Sequence, residues 1–67
     1  MTFGEVFWRM TAGEKIRRKG WEGFWVWEDG TIMMHCGNGE ALDIRQTNDP
    51  LFTFGNIAEV DWEFVDE

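Results

Sequence analysis

Apolar residues recur at helical steps near the start of the chain, where Phe3, Val6, Phe7 and Met10 form one stripe. This spacing predicts a helix over residues 3–12. Thr2-Phe3-Gly4-Glu5 has the form of a capping box, with the Thr2 hydroxyl accepting from the Glu5 backbone and the Glu5 carboxylate accepting in return. Gly13 supplies a left-handed stop. Trp8 lies off the stripe, either as a surface residue or as a contact between subunits.

A period of two then takes over. Residues 15–19 read as a strand with Ile16 and Arg18 on one face and Lys15, Arg17 and Lys19 on the other. Phe24-Trp25-Val26-Trp27 reads as a second strand by its aromatic and β-branched content, and Asp29-Gly30 is a two-residue hairpin signal leading into residues 31–36. A turn at Gly37-Asn38-Gly39 leads to a strand over residues 40–45, with Leu42 and Ile44 on a shared face. These three strands form an antiparallel meander. Phe24 and Val26 fall on one side and Trp25 and Trp27 on the other, so both faces are expected to be apolar and covered, one by the helix and one by another subunit.

Residues 46–55 contain the only proline, Pro50, and read as a loop that crosses the molecule. Asn56 is expected to cap a short helical turn through Ile57, Ala58 and Glu59. Residues 61–65 alternate as a closing strand with Trp62 and Phe64 on one face. The expected fold class is α+β: one domain over residues 1–67, in which an N-terminal helix packs on a small antiparallel sheet of four or five strands.

Composition adds a need for support, since a domain of 67 residues buries only about 60% of the surface its unfolded chain exposes. Cys36 is the lone cysteine, which excludes a disulfide within the chain and fits a reducing compartment. Adjacent His35 and Cys36 do not make a four-ligand zinc site, and neither a metal nor a cofactor is called for. Five tryptophans and six phenylalanines are more aromatic surface than so short a chain easily covers alone. A homo-oligomer, dimer or tetramer, is therefore expected. The sequence has no apolar run near the roughly eighteen residues that a membrane span requires, and its start lacks the pattern of a secretory leader. The expected location is the cytoplasm.

The net charge of -7, from 13 acidic and 6 basic residues, argues against long nucleic acid, whose binding depends on phosphate neutralisation. The basic residues are not spread evenly. Arg9, Lys15, Arg17, Arg18 and Lys19 gather beside Trp21, Trp25 and Trp27. Guanidinium groups next to aromatic faces suit a small anionic ligand with a base to stack, although a solvated strand followed by core tryptophans accounts for the same residues. No catalytic arrangement stands out. The chain has neither serine nor tyrosine, His35 and Cys36 are strand neighbours that point to opposite faces, and Gly37-Asn38-Gly39 lacks the length and the Lys and Ser or Thr of a phosphate loop. A non-enzymatic binding protein is expected.

Phe3-Gly4-Glu5, the run from Ala12 to Gly23, and the ending Ile57-Ala58-Glu59-Val60-Asp61-Trp62-Glu63-Phe64-Val65 resemble a family of small phage and prophage proteins. That family contains the second Thoeris anti-defence protein. The likeness covers residues 1–27 and 57–67. It implies a sponge: an oligomeric protein that sequesters a cyclic nucleotide immune signal, such as glycocyclic ADP-ribose or a cyclic oligonucleotide, between subunits in the host cell cytoplasm without degrading it. The chain departs from longer members in the middle, where the tight Asp29-Gly30 hairpin stands in place of a proline-containing insertion.

The candidate ligand-binding residues are Arg18 and Trp21 from the basic turn and Asp61 and Trp62 from the closing strand, joined by Arg17 and Phe24. Arg18 is expected to project past the apolar layer and contact a phosphate, or else to pair with one of the many carboxylates. Trp21 offers a face to a base, and Asp61 an acceptor for ribose hydroxyls or a base amino group. Trp62 shares a face with Phe64, and core packing competes with a binding role for it. The rival reading from another class is an acidic inhibitor that docks on a host protein or imitates nucleic acid.

Overall fold

Thr2 caps the first helix as the sequence predicts. In the computed structural model, which describes residues 1–66, its hydroxyl accepts from Glu5 N at 3.2 Å while its own N–H donates to Glu5 Oε1 at 2.8 Å. Helix α1 runs over Phe3–Thr11, and Gly13 at φ 107° turns the chain out of it. The strands are β1 (Ile16–Arg18), β2 (Phe24–Glu28), β3 (Thr31–His35), β4 (Ala41–Asp43) and β5 (Trp62–Phe64). They form one antiparallel sheet in the order β4-β3-β2-β1-β5. Asp29 and Gly30, with φ 53° and 79°, make the tight turn between β2 and β3. The fold is α+β with an N-terminal helix on a five-stranded antiparallel sheet. Among the described residues, no helix is long and apolar enough to cross a membrane.

The register fixes what each face carries. Ile16 pairs with Trp25 and Phe64, Trp25 with Met34, and Arg18 with Trp62, so these side chains share one face of the sheet. Val6 and Met10 of α1 pack there with Ile16, Trp25, Ile32, Met34 and Trp62. Trp62, only 1% exposed, lies at the centre, with ring centroids 5.1 Å from Trp25, 5.3 Å from Trp21 and 5.3 Å from Phe3. Such tilted and edge-on aromatic packing adds about 0.5–1.5 kcal/mol per pair beyond the area it buries. The N-terminus closes the β5 edge, with the Met1 amino group donating to the Val60 and Trp62 carbonyls and Met1 O accepting from Trp62 N.

Two expectations are corrected. Residues 46–55 are not a crossing loop, because a second helix, α2, spans Pro50–Ile57. Asp49 is its N-cap, accepting from Phe52 N at 3.0 Å, and Pro50 fills the first turn, where no backbone donor is needed. Asn56 therefore lies inside α2 instead of capping a later turn. On the face of the sheet opposite α1, side chains of the chain itself lie over Phe24 and Val26. Phe24 stacks on His35 at 4.6 Å, the Lys15 ammonium sits 4.8 Å from the Phe24 ring centre, and Arg17–Glu63 and His35–Glu28 pairs lie on the same face. Val26 and Thr31 are only 6% and 3% exposed, and the Thr31 hydroxyl donates to Asp43 Oδ1 at 2.9 Å. Long polar side chains spread over apolar surface and do the covering.

Candidate ligand pocket

Turn geometry after β1 builds a pocket at the end of the sheet where β1 and β3 finish. Gly20 adopts φ 90°, and Trp21 N donates back to Arg18 O at 3.0 Å, folding the chain sharply so that Trp21 lies against Trp25 and Trp62. Gly23 then passes so close to β3 that a Cβ there would collide with the His35 carbonyl. Gly37 faces Glu22 across the gap, where a Cβ would lie 3.1 Å from Glu22 Cβ. This pair of close backbone approaches brings the Trp21-Glu22 turn against His35 and Cys36.

Phe52 of α2 completes the wall. The resulting cavity of about 420 Å³ is lined by Trp21, Trp25 and Phe52, by Glu22, His35 and Cys36, and by Gly20, Gly23 and Gly37. That volume lies within the usual range for small-molecule sites, and an apolar, aromatic lining with a few polar groups is what such sites have. Trp21 is half-buried: part of it is fixed by the core aromatics and part is left to the cavity. The lining holds one carboxylate, Glu22, and neither lysine nor arginine. A second hollow, at Gly13, Glu14, Lys15, Val65 and Asp66, offers no aromatic wall.

Of the six candidates from the sequence, only Trp21 lines this cavity. Arg17 is nearby, with Nη1 3.5 Å from Trp21 O, while its Nε donates to Glu63 at 2.7 Å. Phe24 stacks on His35, away from α1. Trp62 is core, and its indole N–H donates to Asn56 O at 3.0 Å. Arg18 and Asp61 form a two-point pair at 2.8 and 3.2 Å. Arg18 also donates to Asn56 Oδ1 at 2.7 Å and Glu59 Oε2 at 3.1 Å. The hydrogen bond from Arg18 holds the Asp61 carboxyl below its ordinary range, and the same bond raises the Arg18 guanidinium.

Glu22, Trp25, His35, Cys36 and Phe52 are not among the ligand-binding residues expected from the sequence. The glycines on either side of Trp21-Glu22 were the available signal, because a backbone that must approach another strand closely needs Gly. Among the described residues, no group of three His, Cys, Asp or Glu side chains is placed to hold a metal ion. No protein-family model matches the chain, and no curated protein matches it.

Proposed function

We propose that the protein binds a small cyclic nucleotide signal and sequesters it without degrading it, acting as an anti-defence sponge in the cytoplasm of a phage-infected host. The observation that carries this reading is the aromatic cavity at Trp21. Trp21 and Phe52 supply faces for a base, an arrangement worth roughly 1–3 kcal/mol per stacked base. Glu22 accepts from a base amino group or ribose hydroxyl. With no cation in the lining, the phosphates face outward, towards Arg17 beside the Trp21 carbonyl and towards Lys19 next to Gly20 in the chain. The likeness of residues 12–23 to the sponge family falls on the same turn.

The chain acts as a homo-oligomer, a dimer or tetramer, in this reading. Exposed Trp8, and Leu51 and Phe54 on α2 at 84% and 67% exposure, support a subunit contact. The same uncharged stretch of α2 is flanked by Asp49 and Glu59, which favours the rival reading of an acidic inhibitor docking on a basic protein.

Protein purified from cells making the signal, then heated and filtered, is expected to release an intact nucleotide in amounts near one per site. A filtrate free of nucleotide, together with a stoichiometric protein partner retained in a pull-down, would favour the inhibitor instead.

A further inference from the structure

Arg18 is the basic residue most thoroughly engaged by the fold. Its four hydrogen bonds reach Asn56 inside α2, Glu59 just after α2, and Asp61 ahead of β5, up to 43 positions away in the chain. A guanidinium has five N–H donors, so little is left for a ligand. Asn56 is buried, and it links Arg18 to the pocket. Its Oδ1 accepts from Arg18, and this orients the amide so that Nδ2 donates to Phe52 O at 2.9 Å. Phe52 is the part of α2 that walls the cavity. On the outer side of α2, Leu51 and Phe54 face solvent. The anchors of α2 include the Arg18 contacts, the Trp62 indole bond to Asn56 O, Ile57 against the core, and buried Thr53, whose hydroxyl donates to Thr47 Oγ1 at 3.2 Å.

We propose that Arg18 is a positioning residue for the pocket: through Asn56 it clamps α2 to β1 and β5 and so keeps Phe52 opposite Trp21, without touching the ligand. The role given to Phe52 rests on the nucleotide-binding reading above, whereas the clamp itself is measurable in the free protein. Arginine suits this task because its planar fork grips Asp61 at two points and leaves Nη1 for Asn56, a geometry that lysine cannot reproduce.

Hydrogen exchange by NMR on Arg18→Lys and Asn56→Ala tests the clamp. Amides of residues 53–58 are expected to exchange about tenfold faster than in the wild type, while those of Trp25, Val26 and Met34 change by less than about threefold. Alanine is the better helix former, so faster exchange in Asn56→Ala reports a lost hold and not a poorer helix. Unchanged exchange in α2, or equal acceleration throughout the sheet, overturns the clamp. A binding cycle with glycocyclic ADP-ribose tests the link to the pocket. Arg18→Lys combined with Phe52→Ala is expected to bind no worse than about twofold below the weaker single variant. Losses that multiply would place Arg18 on the ligand and overturn the proposal. A wild-type protein that ignores the nucleotide would sink the sponge reading, while the exchange pattern still decides the clamp.

Discussion

Gly23 and Gly55 make opposite demands on a methyl group. At Gly23 an added Cβ meets the His35 carbonyl, which is backbone and cannot step aside, so Gly23→Ala is expected to lower stability by about 1–3 kcal/mol in urea denaturation. At Gly55, inside α2, nothing lies within 4 Å, and Gly55→Ala is expected to raise stability by about 0.5–1 kcal/mol in the same assay. Trp62→Ala removes the largest fully buried side chain and is expected to cost about 3–5 kcal/mol. The core position of Trp62 was legible, because alternation put it on one face with Phe64. The partners of Arg18 were not. Its face was readable from Ile16, but the acceptors that occupy it come from 38 and 43 positions away, and no local spacing announces them.

Among the elements, α1 and the β2–β3 hairpin follow directly from a capping box and an Asp-Gly turn, because the signals and the structures they specify are local. Helix α2 was hidden for a physical reason. Its outward residues, Leu51 and Phe54, are apolar, so the usual contrast between a buried stripe and a polar surface is missing, while Thr53 and Asn56 point inward. Asp49-Pro50, a cap followed by a first-turn proline, was the readable sign. Three exposed apolar residues on a short helix, Leu51, Phe52 and Phe54, bear on assembly more than on folding. The Leu51→Glu, Phe54→Glu double variant is expected to keep its folding stability to within about 0.5 kcal/mol per site. On the sponge reading, light scattering is expected to show it as a monomer and the wild type as a dimer or tetramer. Equal masses for the two would remove α2 from the subunit contact.

For the whole molecule, pH acts through carboxylates that the folded state holds ionised. Asp61 is lowered by its hydrogen bond from Arg18, Asp43 lies far below the usual carboxylate range through the bonds from Arg45, and Glu5 is lowered by the Thr2 backbone N–H. A group whose folded pKa lies below its unfolded value binds fewer protons when folded, so stability falls as pH drops through that interval. Thermal midpoints followed by circular dichroism are expected to be nearly level above about pH 5 and to fall steadily below about pH 4. A midpoint that rises on acidification would show that relief of the net charge of -7 outweighs these bonds.

The central claim is that the Trp21 cavity holds a nucleotide, and calorimetric titration with glycocyclic ADP-ribose tests it most directly. The wild type is expected to bind with a stoichiometry set by the cavity. Trp21→Ala and Phe52→Ala are each expected to weaken binding by about tenfold or more, since one lost base stack of roughly 1–3 kcal/mol corresponds to about that factor. Arg45→Ala, whose exposed side chain pairs with Asp43 outside the cavity lining, is expected to change the affinity by less than about threefold. Binding that survives both cavity substitutions, or no heat at all with the wild type, would contradict the claim.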